Sequence, residues 1–272
     1  MRPLICDHLI IGAGSTGLAV ADHLLRREAG SVILVDSQET PQARLGESRV
    51  PLLFPSINKS ESTQLQNHAR RGLELYEGWS SWLEKDPGFR QCGALVVDEA
   101  IAEQMEALAV QEMQRRWSGL GDWSGVAGFD PQSGIVDGQE VLGALLWRLR
   151  KFGGRFYGGN TLQLLEEQED GVQFVTSRRE GFAGKVYLCH GAAAPFLMKD
   201  LGVRHRQNVE TRCEFTLGLS GDLPPLIHWP DEKATLYATE LGAVELHLST
   251  GAGELLPGGN LATAEVAWKR LG

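Results

Sequence analysis

Cys6-Asp7-His8-Leu9-Ile10-Ile11-Gly12-Ala13-Gly14-Ser15-Thr16-Gly17-Leu18-Ala19 is the stretch that decides the fold. An apolar strand runs directly into Gly-x-Gly-x-x-Gly, and the pattern beyond it predicts a helix ending near Gly30. A second apolar strand, Val32-Ile33-Leu34-Val35, follows and stops at Asp36. Strand, glycine turn, helix and strand with an acid at the far end make a complete dinucleotide-binding unit. Gly12 permits the tight turn, Gly14 lets the backbone approach a pyrophosphate, and Gly17 lets helix and strand pack closely. Ala13, Ser15 and Thr16 complete the turn, whose N–H groups at the helix start attract phosphate charge. Asp36, with Ser37 beside it, is placed to accept hydrogen bonds from ribose hydroxyls and to repel a ribose 2′-phosphate. The turn alone leaves the identity of the dinucleotide open.

Composition narrows the function classes. The 272 residues exceed the usual single-domain length, so two lobes are expected, and an apolar share of 42% suffices for a sizeable core. Lys+Arg 26 against Asp+Glu 35 gives a net charge of −9 without a basic stripe, which argues against nucleic acid and anionic membrane as partners. The four cysteines, Cys6, Cys92, Cys189 and Cys213, form no Cys-x-x-Cys pair and no zinc spacing. No His-x-Glu, Glu-x-x-His or His-x-x-x-His pattern suggests a metal, and no metal site is expected. The cysteines read as reduced and buried, and the expected location is cytoplasmic. Asp7 and His8 interrupt the apolar N-terminus too early for a signal peptide, and no apolar run reaches membrane-spanning length.

Further along, Pro41, Pro51 and Pro55 mark an extended crossing segment, and Leu65, Ala69, Leu73, Tyr76, Trp79, Trp82 and Leu83 give residues 60–86 helical periodicity. Cys92 to Val97 reads as a strand, and a polar amphipathic helix is expected from about Ala100 to Trp117. Phe129 to Val136 reads as a turn and a short strand, followed by a helix from Gly138 to Phe152 that Gly153-Gly154 stops. Strands are expected at Arg155–Tyr157, Thr161–Leu165, Val172–Thr176 and Gly184–Cys189. Beyond residue 203, Val209–Leu219, Thr235–Glu240 and Val244–Thr250 alternate polar and apolar residues, the pattern of antiparallel sheet. The fold class is therefore α/β (α+β overall), a Rossmann-like nucleotide lobe with an antiparallel-sheet lobe inserted into it.

Four elements, taken in order, resemble the FAD-dependent amine oxidoreductases of the D-amino-acid oxidase superfamily, nearest the monomeric sarcosine oxidase type. They are Gly12–Gly17 with Asp36, then Gly46-Glu47-Ser48-Arg49-Val50-Pro51-Leu52, then Pro131–Val136 leading through a helix to Asn160-Thr161-Leu162, and finally Val186-Tyr187-Leu188-Cys189-His190-Gly191-Ala192. The resemblance implies FAD as cofactor, held also by Ser48, Arg49, Leu162, Gly191 and Ala192. It implies a discontinuous FAD-binding domain over residues 1–88 and 137–202, a substrate domain over 89–136 and 203–260, and the start of a helix at 261–272. It also implies a later glycine-rich segment closing over the flavin. Nothing like that segment occurs before the chain stops at Gly272, so the expectation is a fragment, or a flavin site completed by a partner chain.

By the same resemblance, the reaction is oxidation of the C–N bond of a small amine or amino acid by hydride transfer to flavin, the imine then hydrolysing in water. Arg49 would set a fixed positive charge beside the ring. Tyr237 and His247 would lie on the strands walling the substrate cavity. His247 stands where related oxidases carry a lysine thought to activate oxygen, and an unperturbed histidine pKa of ~6.5 leaves oxidase and dehydrogenase both open. Leu52 stands where the sarcosine oxidase type has an arginine for the substrate carboxylate, which argues against a carboxylate held in that way. His190 is expected to be structural. Two alternatives stay open: a non-catalytic FAD-binding subunit, and an NAD-dependent dehydrogenase using the same fingerprint.

Overall fold

In the computed structural model, residues 2–41, 50–52, 63–82, 84–86, 88–98, 102, 106–120, 126–191, 198, 202, 211–217, 222–229, 234–238 and 244–250 are described. In chain order they form β1 (Leu4–Ile11), α1 (Ser15–Arg26), β2 (Val32–Val35), β3 (Val50–Leu52), α2 (Thr63–Trp82), β4 (Arg90–Gln91), β5 (Ala94–Val96), β6 (Glu106–Leu108) and α3 (Val110–Arg116). There follow β7 (Ala127–Asp130), β8 (Gly134–Val136), α4 (Gly138–Lys151), β9 (Arg155–Tyr157), β10 (Leu162–Gln168), β11 (Gly171–Thr176) and β12 (Glu180–Leu188). The last strands are β13 (Thr211–Leu217), β14 (Leu226–Trp229), β15 (Ala234–Ala238) and β16 (Val244–Thr250). The chain divides into two compact units, the first comprising Met1–Ser48, Trp79–Pro87 and Asp137–Gln207, the second Arg49–Gly78, Gly88–Val136 and Asn208–Gly272.

The first unit is built on a six-stranded sheet in the order β10-β11-β12-β1-β2-β9. β1 pairs parallel with β12 from Leu4↔Gly181 to Ile11↔Leu188 and with β2 from His8↔Val32 to Ile11↔Val35. A strand flanked on both sides tends to be covered on both faces, and His8 to Ile11 are all buried, as are all four residues of β2. β10, β11 and β12 form an antiparallel meander whose inner residues, Phe174 and Ala183, join Leu4, Cys6, Leu9, Ile11, Ile33 and Val35 in one core cluster. α1 and α4 are joined by a buried ion pair, Arg148 Nε to Asp22 Oδ1 at 2.6 Å, with Arg26 on the other carboxylate oxygen at 2.8 Å. The carboxylate of Asp137 caps α4, accepting from the N–H groups of Gln139 and Glu140 at 2.8 and 3.0 Å.

In the second unit a seven-stranded sheet runs β13-β16-β15-β14-β5-β7-β6, antiparallel throughout except for the parallel pair β14 and β5. A three-stranded sheet, β3-β8-β4, accompanies it. Leu95, Leu108, Met113, Leu120, Ala127, Ile227, Trp229 and Leu236 form a core on one face of the large sheet, while Ala94, Val96 and Leu226 meet Ile135 on the other.

The structure departs from what the sequence suggested at three places. The helix expected to end near Gly30 stops at Arg26, and Glu28 beyond it takes φ +52°, which a continuing helix cannot use. The single helix expected over Ala100–Trp117 is interrupted by β6, whose Leu108 pairs with Ala127 and enters the core, so ladder pairing overrides the helical pattern. β14 was not foreseen. Its four residues are all buried, so it lacks the polar–apolar alternation by which an exposed strand is read.

Candidate dinucleotide-binding site

The glycine turn sits where β1 ends between β2 and β12. Gly12 donates its N–H to the Val35 carbonyl at 2.9 Å, and Cys189 donates to the Ile11 carbonyl at 2.8 Å, so both neighbouring strands pin the turn. Gly12 adopts φ +108°, and a Cβ there would overlap the Cys189 carbonyl oxygen. A Cβ on Gly17 would overlap the Gly12 carbonyl oxygen and lie 3.3 Å from the Cys189 Cβ. These two glycines are therefore required by the protein's own backbone.

Gly14 differs. It caps α1 in extended geometry with φ −72° and ψ −178°, makes no side-chain cap hydrogen bond, and has nothing within 4 Å of a built Cβ. The first turn of α1 carries no acidic residue, and Ser15 and Thr16 are exposed. The opening N–H groups of a helix have no partner within it, so this end presents donors and partial positive charge to open space. Those are the requirements for an anion such as a pyrophosphate.

Asp36 follows β2 and faces the turn. Its Oδ2 accepts the Ala13 N–H at 2.6 Å, and its Oδ1 accepts from the Gln38 N–H at 2.8 Å and the Ser37 hydroxyl at 3.4 Å. Its own backbone donates to Tyr157 at 3.2 Å and accepts from the Asn160 N–H at 2.7 Å. Past β12, Gly191 takes φ +56° with open space around a built Cβ. The geometry thus brings Gly12, Ala13, Gly14, Ser15, Thr16, Gly17, Asp36 and Ser37 together, with His190 and Gly191 in the segment that follows β12.

Leu162 opens β10, two strands removed from β1, and packs half-buried against the first unit's core. Ser48, Arg49 and Ala192 lie outside the described residues. Leu52 pairs with Gly134 in the small sheet. Tyr237 lies on β15 opposite Leu226 and Glu245, and His247 lies on β16 opposite Thr235 and Glu214. Direct pairing puts Thr235, Tyr237, Glu245 and His247 on one face of the sheet. The described residues contain no group of three or more potential metal ligands and no helix long and apolar enough to cross a membrane.

Residues 7–260 match the family described as FAD dependent oxidoreductase. The chain belongs to this family. It is 26% identical over 214 residues to monomeric sarcosine oxidase from Streptomyces avermitilis, a match covering 72% of this chain and 54% of that protein, so the chain spans about half the length of the curated relative it matches. Among solved structures it is similar to glycine oxidase from Geobacillus kaustophilus, with TM-score 0.80, 16% identity and coverage of 98% and 78% of the two chains. Iminodiacetate oxidase from Chelativorans sp. BNC1 gives TM-score 0.78 and 21% identity, over 97% and 78%. L-Proline dehydrogenase from P. horikoshii gives 0.74 and 14%, over 99% and 77%. These likenesses establish a fold shared with amino-acid and amine oxidoreductases.

Two contacts had no local signal in the sequence. Glycine spacing announces a close approach, but nothing local reveals that the partner is the Cys189 backbone, delivered by a strand far along the chain. Likewise Asp36 was read for its reach toward a ribose, and its bond to Ala13 had no local signal.

Proposed function

We propose that this chain holds FAD at the Gly12–Gly17 turn and serves to oxidise the C–N bond of a small amine or amino acid. The observation that carries the reading is the turn itself, where Gly12 and Gly17 are closed off by backbone while Gly14 stays open before an uncapped helix start. That arrangement fits the pyrophosphate of a dinucleotide, and membership of the FAD dependent oxidoreductase family supports FAD rather than NAD. When bound, FAD accepts hydride from the carbon beside an amine nitrogen.

Each of the chain's own residues then has a task. The first-turn N–H groups would hold the phosphates, Asp36 would accept a ribose hydroxyl, and Gly191 and Ala192 would serve the phosphates from the segment after β12. Ser48 and Arg49 would serve the ring, the guanidinium offsetting developing negative charge. Tyr237 and His247, on one face of the sheet, orient the amine and exclude water. An apolar residue at position 52, in place of a cation, favours substrates not gripped by a carboxylate there.

Anaerobic titration of the FAD-loaded chain with a panel of primary and secondary amines and amino acids tests the reading. The expected result is bleaching of the flavin by at least one small amine. A flavin reduced by dithionite but by none of the panel overturns the catalytic part and supports an FAD-binding subunit. A colourless chain that binds NADH supports the dehydrogenase alternative.

A further inference from the structure

We propose that Asp36 is a positioning residue for the phosphate-facing turn, acting through the Ala13 N–H, so that it governs the grip on phosphate as well as on ribose. The inference rests on the reading of this turn as a dinucleotide site. Ala13 is 1% exposed, so its N–H has no access to water and depends on the Asp36 carboxylate 2.6 Å away. A short bond from N–H to an ionised oxygen is of the strong, charge-assisted kind, and a buried donor stripped of it is left uncompensated. Ala13 is also the link between Gly12, locked against Cys189, and Gly14, where the chain opens toward a ligand. Fixing its N–H fixes the direction in which the following N–H groups point.

The carboxylate is itself immobilised. Gln38 and Ser37 hold Oδ1, and the Asp36 backbone is tied to Tyr157 and Asn160, so the side chain spans from the end of β2 to the turn as a braced strut. An acid that served only to meet a ribose would not need one oxygen committed to the turn. The arrangement makes the acid part of the phosphate cradle.

Ligands with and without ribose hydroxyls separate the two roles. Dissociation constants of ADP and of 2′,3′-dideoxy-ADP are measured for the cofactor-free chain and for Asp36→Ala and Asp36→Asn. Asp36→Ala is expected to weaken dideoxy-ADP about tenfold or more, the affinity equivalent of one charge-assisted hydrogen bond, and ADP by at least as much. Asp36→Asn, whose amide can accept only one of the two facing N–H groups, is expected to weaken both ligands by a smaller common factor, and it decides the matter if the alanine variant does not fold. Amide exchange adds a readout that general destabilisation would not produce: it should accelerate at Ala13 while Leu18, bonded to the Gly14 carbonyl at 3.0 Å, stays protected. A loss confined to ADP, with dideoxy-ADP bound equally by parent and variants, overturns the proposal and leaves the dinucleotide reading standing. A parent chain that binds neither ligand overturns both.

Discussion

Three glycines share one motif and answer to different constraints. Gly12, at φ +108° against the Cys189 carbonyl, and Gly17, against the Gly12 carbonyl, are held by contacts within the protein. Gly12→Ala and Gly17→Ala should each lower the melting temperature and release the cofactor. Gly14 meets nothing, so Gly14→Ala should cost less than about 1 kcal/mol in urea denaturation while cutting FAD affinity sharply, because the added methyl occupies the ligand's approach. A large stability loss in Gly14→Ala would contradict this division. Cys6 gives a pH-dependent expectation. Burial, reinforced by the neighbouring Asp7 charge, pushes its thiol from 9.0 to about 11. A raised thiol pKa favours the neutral form in the folded state, so its stabilising contribution is complete below pH 9.0 and drains away as pH rises toward about 11. Cys6→Ala should flatten that alkaline decline in denaturation curves measured across the interval. At this scale the sequence named the turn and its acid, and the structure places the Asp36 carboxylate on the Ala13 N–H of that turn. The sequence could not show what the glycines face, since the Cys189 backbone arrives from another strand.

Among the elements, α1 and α4 are fastened by Asp22 and Arg148, 3% and 5% exposed at the side chain. Removing one member strands a buried charge, which typically costs about 3–5 kcal/mol. Arg148→Ala should fall near the lower end, because Arg26 still reaches the Asp22 carboxylate at 2.8 Å. Paired replacement by Asp22→Leu and Arg148→Met should restore much of the loss in chemical denaturation. A single variant as stable as the parent would mean the pair does not join the helices energetically. Neither residue stood out in the sequence, because each lies inside an amphipathic helix where charges ordinarily face water. α4 follows a helical hydrophobic period and β15 and β16 alternate polar and apolar residues, while β1 and β2, buried on both faces, were legible because the glycine turn frames them. β6 and β14 were not, the one being embedded in a helical pattern and the other buried on every residue.

For the whole molecule, the order of motifs carried more than any one of them. A glycine turn fits several dinucleotides, whereas the family match spans residues 7–260, which contain the turn, the Pro131–Val136 turn and strand, the meander β10–β12 and the strands from β13 onward. The proposed substrate-side residues Tyr237 and His247 carry no local motif, and only sheet register puts them on one face. Everything proposed for this chain depends on the Gly12–Gly17 turn holding FAD. The most direct measurement is the visible spectrum of the purified chain supplied with FAD, freed of excess, with chromatographic identification of the nucleotide released on denaturation. The expected result is a flavin spectrum and stoichiometric release of FAD, both lost in Gly12→Ala. A chain that retains no flavin, or retains it undiminished in that variant, would contradict it.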